Sequence, residues 1–437
     1  MAGSGLRYNI LAHSPMEILL EPSEYRFLNA GDSAMTQVAI SRLRSMWPEA
    51  EIRVLTSHPE LLPAYSPRVS PLTNDGRLRW LGENLFPLPL VRTRCKSWSR
   101  SISIRQPKIA RRLRDLRYVL RSPHDRQVME EFLTVVGKAN VFVVAGMGGL
   151  TSAFHDYTVM ILDTLALAQA LKVPTVLFGQ GIGPFDGGLG EKAADVLRKV
   201  DYISLREGRH GPALLRAWGV PEERWSVTGD DAVELAFGHR RPPMGQAIGV
   251  NLRVSNYSAV SEGIVARLRE PLLQIASELG MPFRVIPISR LPDEADAAQV
   301  ERLLDGYAPV EYPDSAVDSP LRVIEEIGHC RIVITGSYHA GVFALSQGIP
   351  VIGLVASDYY QWKFDGLAHQ FGDGCRVLRL AAPTLALDLQ TMFRELWDGA
   401  ADLRPALLRV AERQREASRS AYAHVASLLR QRLEGAR

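Results

Sequence analysis

A histidine stands at the start of a predicted helix in the stretch Ile334–Leu354, which reads ITGSYHAGVFALSQGIPVIGL. Gly336, Ser337 and Tyr338 precede His339 in the turn between an apolar β-branched run and a segment of helical spacing. Free backbone N–H groups and the positive end of a helix dipole favour an anion there, and histidine adds a proton that titrates near neutral pH. The turn therefore predicts an anion site or, more simply, an ordinary helix start with a surface histidine.

Three further cationic side chains stand at or near the ends of predicted strands. Arg206 closes the run YISLR, and Arg253 closes GVNLR in the second half of the chain. An arginine in this place can hold a carboxylate or phosphate with two hydrogen bonds, although an ion pair between Arg206 and Glu207 is an equal alternative. Lys363 follows the predicted strand IPVIGLV, so it is expected at the rim of a cleft or else on the open surface.

Two glycine-containing turns add a candidate base and a close backbone approach. Asp32 in LNAGDSAM falls where a helix is predicted to begin, so it either caps that helix or serves as a base for a hydroxyl group. Gly181 lies within GQGIGP, whose glycines let the backbone pass close to a ligand or a facing domain, or simply form a tight turn.

These residues need a scaffold that brings several strand ends together. Apolar runs alternate with helical patterns, beginning with RYNILAHSP as the first predicted strand, and the alternation resumes after a stretch rich in proline, glycine and arginine at Gly238–Gln246. Such alternation predicts doubly wound parallel sheets, and the stretch between them predicts a linker.

The chain is therefore predicted to be an α/β protein of two doubly wound, Rossmann-like domains that face each other across a cleft. The predicted domains are residues 1–240 and 247–400, followed by a helical segment, 401–437, that packs back toward the first domain. Two such domains bind ligands between them, at the carboxyl ends of the strands, and the glycine-rich turns NAGDSA, AGMGGL, GQGIGP and TGSYHA fall there.

Composition excludes several classes of protein. The 437 residues are 46% hydrophobic and 23% charged, which is typical of a globular chain of more than one domain. A net charge of +3 gives no indication of nucleic-acid binding, and three scattered cysteines provide neither a disulfide framework nor a metal-binding spacing. No cofactor or metal is predicted. The lack of a signal-peptide pattern and of an apolar run of ~18–20 residues favours the cytoplasm.

The segment Val91–Arg121 is strongly basic, with eleven lysines or arginines and one aspartate. It is either a solvated helix and loop or a docking face for an anionic acceptor or membrane surface, which would give peripheral membrane contact through residues 91–121.

Eight motifs resemble the polysaccharide pyruvyl transferase family in their order along the chain. They are FLNAGDSAM, AGMGGL, LFGQGIGP, ISLRE, VTGDDA, IGVNLR, YHAGVFALSQGIPVIGL and YYQWKFDGL. The resemblance implies a GT-B-like fold, with residues 1–240 on the acceptor side and 247–400 on the donor side. It also implies metal-free transfer of a pyruvyl group from phosphoenolpyruvate to sugar hydroxyls as a cyclic ketal, in the synthesis of a cell-surface polysaccharide or glycoconjugate.

The resemblance also implies roles for individual residues. His339 would contact the donor phosphate and act as an acid, and Asp156 corresponds loosely to an acidic residue of the family that would take a proton from the acceptor. The acceptor, a saccharide or lipid-linked saccharide, is expected in a pocket built from residues 60–125. The residues expected to bind the donor are Gly181, Arg206, Arg253, Gly336, Ser337, Tyr338 and Lys363.

One departure from the family pattern leaves the donor open. Family members often carry arginine two residues before the histidine, whereas this chain has Ser337, which cannot make the same bidentate contact. A nucleotide sugar would also place its diphosphate at this helix N-terminus, so a GT-B-type glycosyltransferase is the first alternative. A non-catalytic sugar- or nucleotide-binding protein is the second, because binding needs the cleft but not the acid–base residues.

Overall fold

Residues 15–65, 68–83, 85, 96–118, 123–292, 295–313 and 318–435 are described by the computed structural model of the chain. The predicted alternation of strands and helices is present, and it builds two parallel sheets with a cleft between them. The predicted pair of doubly wound α/β domains is therefore confirmed.

The first sheet contains β1 (Glu17–Glu21), β2 (Glu51–Thr56), β3 (Ser70–Thr73), β4 (Val141–Val144), β5 (Met147–Leu150), β6 (Thr175–Ile182), β7 (Tyr202–Leu205) and β8 (Trp225–Val227). Its strands pair in the order β3-β2-β1-β4-β6-β7-β8, with β5 beside β6. The second sheet contains β9 (Ala247–Asn251), β10 (Phe283–Val285), β11 (Val310–Glu311), β12 (Cys330–Thr335), β13 (Val351–Val355) and β14 (Cys375–Arg379). Its order is β11-β10-β9-β12-β13-β14.

Helices cover the sheets and connect their strands. Those of the first half are α1 (Ala30–Met46), α2 (Leu62–Tyr65), α3 (Asn74–Gly82), α4 (Lys96–Arg105), α5 (Pro107–Tyr118), α6 (Pro123–Lys138), α7 (His155–Ala170), α8 (Gly188–Leu197), α9 (His210–Ala217) and α10 (Val233–Gly238). Those of the second half are α11 (Glu262–Leu279), α12 (Asp296–Leu304), α13 (Pro320–Ile327), α14 (Tyr338–Ser346), α15 (Asp358–Phe371) and α16 (Leu385–Gly435).

The order of the strands explains where the cleft lies. In both sheets the order reverses beside the first strand of the domain, between β1 and β4 and between β9 and β12. Connections leave such a point in opposite directions, so a crevice opens at the carboxyl ends of the strands there. The loops after β1, β9 and β12 all reach this crevice and carry residues of its wall.

The predicted first strand, RYNILAHSP, lies almost wholly outside the described residues. Among the described residues, the first strand of the sheet is EILLE, at Glu17–Glu21. The linker segment lies between α10 and β9, where residues 239–246 form neither helix nor strand.

The two domains touch through backbone bonds as well as side chains. The Ala30 N–H donates to Ile288 O at 2.9 Å, and the Arg290 N–H donates to Leu28 O at 2.9 Å. Met35 of α1 lies in one apolar cluster with Phe343 of α14. The start of α1 is thereby fixed against the second domain.

The C-terminal helix α16 is continuous over 51 residues and packs on both domains. Its N-terminal part adds Phe393 to the core of the second domain, and its C-terminal part lays the Tyr422 ring on Phe178 of β6, with 3.6 Å between ring centroids. The division expected at residues 400 and 401 therefore falls inside one helix. None of the described helices, α16 included, is long and apolar enough to cross a membrane.

A buried carboxylate ties α16 to the first domain. Asp231, which is fully buried, accepts a hydrogen bond from the Tyr422 hydroxyl at 2.9 Å and another from Ser418. Arg42 of α1 donates to the same carboxylate at 3.2 Å. The charge of Asp231 is thus paired with a cation and hydrogen-bonded inside the core, which buried charges require.

We predict that Tyr422→Ala lowers the free energy of unfolding by about 3–5 kcal/mol, because it removes the buried ring that stacks on Phe178. Tyr422→Phe keeps the ring but leaves Asp231 short of one donor, so its cost is smaller, about 1–3 kcal/mol. Urea denaturation followed by circular dichroism measures both. Leu433→Ala, on the exposed face of the same helix, is the control and should stay within about 0.5 kcal/mol. Equal stability of Tyr422→Ala and wild type would contradict the packing described.

Candidate active site

A cavity of about 440 Å³ opens where the carboxyl ends of the two sheets meet. Its volume lies in the range of small-molecule sites, ~300–1,000 Å³. The first domain lines it with Ser23, Glu24, Tyr25, Arg26, Asn29, Asp32, Ser57, Gly148, Gly149, Phe154 and Tyr157. The second domain lines it with Arg253, Tyr257, Leu291, Ser337, Tyr338, His339, Tyr359, Tyr360 and Lys363.

His339 lies in the first turn of α14, on the wall of this cavity. Ser337 has the extended backbone of a helix N-cap, but its side chain makes no capping hydrogen bond. The histidine ring packs against Gly31 of the first domain, where a Cβ atom would stand 2.0 Å from the ring carbon Cγ. Gly31 is therefore the residue that lets a side chain of the second domain reach the start of α1.

The electrostatic surroundings hold His339 neutral. Burial lowers the pKa of its imidazole well below the usual value, and the nearby charges of Arg206, Lys363 and Arg253 lower it further. Its Nε2 atom is buried, without a hydrogen-bond partner among the described residues, and lies 3.9 Å from Oδ2 of Asp230. His339 is thus a neutral ring on the cavity wall, and a nearby anion would favour its protonation.

Asp32 is available for chemistry because another residue caps α1. The Asn29 side chain accepts hydrogen bonds from the backbone N–H groups of Gly31 at 3.0 Å and Asp32 at 3.3 Å. Burial and the charge of Glu24 raise the pKa of Asp32 to about 7, while Lys363 opposes the rise. A carboxylate that titrates near neutral pH is well matched to general-base work.

Lys363 of α15 reaches the cavity across a group of tyrosines. Its Nζ lies 4.0 Å from the ring centroid of Tyr359 and 5.5 Å from that of Tyr360. Burial and the charge of Arg206 lower the pKa of Lys363 well below its usual value. The ring faces attract the ammonium group, so the lysine is held in place although no acid of the described chain forms an ion pair with it.

Arg206 and Gly181 belong to the layer behind the cavity wall. The Arg206 side chain is only 2% exposed, and its guanidinium carbon lies 4.1 Å from the ring centroid of Tyr338. A Cβ atom on Gly181 would stand 2.6 Å from Nε of this arginine, and one on Gly148 would stand 2.3 Å from Nη2. Gly181 thus makes room for Arg206 and does not itself line the cavity. Arg206 contacts the back of Tyr338, which does line the cavity.

Arg253 and Gly336 are part of the support as well. Arg253 lines the cavity, and its guanidinium donates two hydrogen bonds to Asp296, at 2.8 and 3.0 Å. A Cβ atom on Gly336 would stand 2.9 Å from the backbone nitrogen of Arg253, so this glycine lets the ends of β12 and β9 approach. Arg253 therefore contributes charge to the cleft with its side chain already held.

The structure does not bring Asp156 into the site. A short 3₁₀ turn at Ser152–Phe154 carries the chain outward after β5, so Phe154 lies on the wall while the Asp156 side chain is fully exposed beside His155. None of the described residues in the range 60–125, where the acceptor pocket was expected, lines this cavity.

Sequence reasoning missed two carboxylates and most of the aromatic wall. Glu24 lines the cavity from the loop after β1, where its carboxylate accepts hydrogen bonds from the backbone of Arg26 and Leu28. Asp230 lies behind His339 and was visible only as part of VTGDDA. Within the described ranges, no group of three or more His, Cys, Asp or Glu side chains is placed to hold a metal ion.

Comparison with known proteins shows the family and the fold. Residues 29–358 match the family model of polysaccharide pyruvyl transferases, and a search of curated proteins found no match. UDP-GlcNAc 2-epimerase from Neisseria meningitidis, solved with UDP-GlcNAc, aligns with a TM-score of 0.54 at 12% identity, over 95% of this chain and 100% of its own.

Two other solved structures show the same architecture. S. aureus MnaA, solved with UDP, has a TM-score of 0.55 at 12% identity, over 95% of this chain and 97% of its own. UGT2 from Phytolacca americana, solved with UDP-2-fluoro-glucose and pterostilbene, has a TM-score of 0.53 at 12% identity, over 95% of this chain and 99% of its own. At such low identity these likenesses show the shared two-domain, GT-B-like fold alone.

We predict that Gly31→Ala destabilises the protein by about 1–3 kcal/mol, because the new methyl group overlaps the His339 ring. The double variant Gly31→Ala/His339→Ala should recover most of that loss, since the methyl then has space. Thermal unfolding of the four proteins gives the coupling between the two sites.

Gly137→Ala is the matched control for this experiment. Gly137 lies within α6, and nothing stands within 4 Å of an added Cβ there, so alanine should leave stability unchanged or raise it. Strict additivity of the Gly31 and His339 substitutions would contradict the contact.

Proposed function

This chain belongs to the polysaccharide pyruvyl transferase family and is a transferase, and we propose that it moves a pyruvyl group from phosphoenolpyruvate to two hydroxyl groups of a saccharide. The observation that carries the proposal is the convergence of His339 and Lys363 on one cavity with Asp32, which titrates near neutral pH. His339 and Lys363 would then bind the two anionic groups of the donor, and Asp32 would serve as the base for the acceptor.

The donor's anionic groups would bind at the start of α14. Its first backbone N–H groups favour a phosphate, and Lys363 adds a cation from α15. Ser337 stands where family members often carry arginine, so Lys363 would supply the cationic contact that the serine does not. Arg206 would strengthen the positive potential from behind Tyr338.

Acid–base roles follow from the two titrating groups. Asp32 would take the proton of a hydroxyl as its oxygen bonds to C2 of the donor, while C3 gains a proton from solvent and becomes a methyl group. Asp32 would release its proton to solvent and then take the proton of the second hydroxyl, whose oxygen bonds to C2 as the bond from C2 to the phosphate oxygen breaks. His339, protonated when the phosphate arrives, would give that leaving oxygen its proton. The two protons lost by the hydroxyls are thus balanced by one gained at C3 and one gained by the released phosphate.

The acceptor would lie against the aromatic side of the cavity. Phe154 and Tyr257 meet edge to face with 4.9 Å between ring centroids, and Tyr359 lies 5.5 Å from Phe154. Aromatic rings offer flat apolar faces with polar edges, which suits a sugar ring that is apolar on its C–H face and polar around its rim. This aromatic wall supports the proposal of a saccharide acceptor, free or lipid-linked.

A nucleotide sugar is the competing donor. The epimerase of Neisseria meningitidis that shares this fold was solved with UDP-GlcNAc, and a diphosphate would suit the same helix N-terminus. Membership of a transferase family leaves the non-catalytic binding protein without support.

We predict that phosphoenolpyruvate stabilises the protein in a thermal-shift assay, by about 2.7 kcal/mol at 100 times its dissociation constant. Lys363→Met keeps much of the apolar stem but removes the charge, so it should weaken donor binding about tenfold or more. Lys199→Met, on the surface of the first domain, is the control and should bind like wild type.

Ser337→Arg distinguishes the two donors in the same assay. The added guanidinium should be tolerated or should tighten phosphoenolpyruvate binding, whereas it should crowd the site of a nucleotide sugar. Stabilisation by UDP-, GDP- or TDP-sugars without any response to phosphoenolpyruvate would contradict pyruvyl transfer and favour glycosyl transfer.

The basic segment would bring the site to its acceptor. Residues 91–95 and 119–121 lie outside the described residues, but α4 and α5 expose Arg105, Lys108, Arg111 and Arg112 to solvent. Trp98 and Ile109 are also exposed on these helices, at 54% and 49%. Cations with exposed apolar groups fit an anionic lipid surface, so we place peripheral membrane contact here.

We predict that Lys108→Glu/Arg112→Glu weakens binding to vesicles that contain anionic lipid, because each basic residue near such a surface contributes about 1 kcal/mol. Co-sedimentation with phosphatidylserine vesicles measures this. Lys138→Glu/Lys199→Glu changes the net charge equally at exposed positions elsewhere and should bind like wild type. An equal loss of vesicle binding in both variants would contradict a specific role of α4 and α5 and would show an effect of net charge alone.

A further inference from the structure

Three buried side chains, His339 on the cavity wall and Arg206 and Asp230 behind it, face one another without completing their hydrogen bonds. Asp230 is 3% exposed, Arg206 is 2% exposed and His339 is 7% exposed. Among the described residues, Asp230 Oδ2, Arg206 Nη1 and His339 Nε2 have no hydrogen-bond partner. The carboxylate oxygen lies 3.7 Å from Nη1 and 3.9 Å from Nε2. It thus stands between two donors and is bonded to neither.

These distances are about half an ångström to one ångström longer than a good hydrogen bond, which spans ~2.7–3.2 Å. A small side-chain movement would therefore complete either bond. Buried polar atoms without partners are rare in folded proteins and need an explanation, and a bond that forms in another state is one. The position of Oδ2 suggests that the missing partner changes between states.

One oxygen of the Asp230 carboxylate is held by a hydrogen bond, so only the other oxygen can change its partner. Oδ1 of Asp230 accepts a hydrogen bond from the backbone N–H of Ala232 at 2.9 Å. The next residue, Asp231, is bonded to α16 through Tyr422. Arg206 is confined between the backbone at Gly181 and the Tyr338 ring. Movement of the loop as a whole is therefore opposed, and rotation of one side chain is the available change.

We propose that Asp230 is a positioning residue that pairs with Arg206 in the empty site and with His339 once the donor is bound. The proposal rests on the function proposed above. Donor anions would compensate the charge of Arg206, so Asp230 would be free to accept a hydrogen bond from the Nε2–H of His339. That bond fixes Nε2 as the protonated nitrogen and leaves Nδ1 to exchange a proton with the donor, so His339 becomes an acid only when a donor is present.

The charges around the imidazole favour such a switch. The titratable and charged groups that face His339 come from both domains. Those of the first domain are Asp32 on α1, Arg206 after β7 and Asp230 after β8, and those of the second are Arg253 after β9, Tyr338 on α14 and Lys363 on α15. Three cations oppose a further positive charge, and Asp230 is the acidic group close to Nε2. Burial raises the pKa of Asp230 to about 6, with Arg206 opposing the rise, so this carboxyl is mostly ionised at pH 7.

The test is a histidine NMR titration of the full-length protein, with the His339 signal assigned by comparison with His339→Asn. Phosphoenolpyruvate and inorganic phosphate are the two probes. In wild type, saturation with phosphoenolpyruvate should raise the ratio of protonated to neutral His339 at pH 7 by about tenfold or more. In Asp230→Asn, whose amide keeps the acceptor for Ala232 but not the charge, most of that increase should be lost, while donor affinity should change much less.

The outcomes separate this inference from the proposed donor. A response to inorganic phosphate, but none to phosphoenolpyruvate, would overturn the donor and leave the role of Asp230 standing. No response to either probe, or an equal response in wild type and Asp230→Asn, would overturn the role of Asp230.

A phosphate-bound crystal structure of wild type provides a test that needs no variant to fold. Oδ2 of Asp230 should then lie within about 3.2 Å of His339 Nε2. An approach of Oδ2 to Arg206 instead would overturn the inference.

Discussion

The contact between the His339 ring and Gly31 is the constraint on which the site depends. It joins the first turn of α14 in one domain to the first turn of α1 in the other, at a distance that only glycine permits. Backbone bonds between Ala30 and Ile288, and between Arg290 and Leu28, hold the same region of the interface. Because the contact is this close, Asp32 and His339 share one cavity although they belong to different domains.

A second constraint is the number of cations gathered in a space of low polarity. Lys363 and Arg206 are held by the faces of Tyr359 and Tyr338, contacts that contribute ~0.5–2 kcal/mol each, while Arg253 is paired with Asp296. The cost of this arrangement appears in the lowered pKa of Lys363 and the neutral His339. An anion between these groups would relieve their repulsion, which supports the anionic donor that we propose.

The sequence predicted the fold and the position of His339 on the cleft, because both depend on local patterns. Strand–helix alternation predicts doubly wound sheets, and a histidine one residue into an apolar helix must lie at the carboxyl end of the preceding strand. The layer behind that site depends on tertiary packing, which no local pattern contains. Arg206 stands behind Tyr338 rather than on the wall, and Asp156 points to solvent because one 3₁₀ turn redirects the chain. Asp230 gained significance only through its distance from His339.

The most direct test of the account is the reaction itself, run in deuterium oxide with phosphoenolpyruvate and a panel of saccharide diols. We expect wild type to release one phosphate for each ketal formed, and mass spectrometry should find one solvent deuterium in the ketal methyl group. Asp156→Asn should react normally, whereas Asp32→Asn and His339→Ala should each lose about 10²–10⁴-fold in rate. Loss of activity in Asp156→Asn with full activity in Asp32→Asn and His339→Ala would contradict the site described.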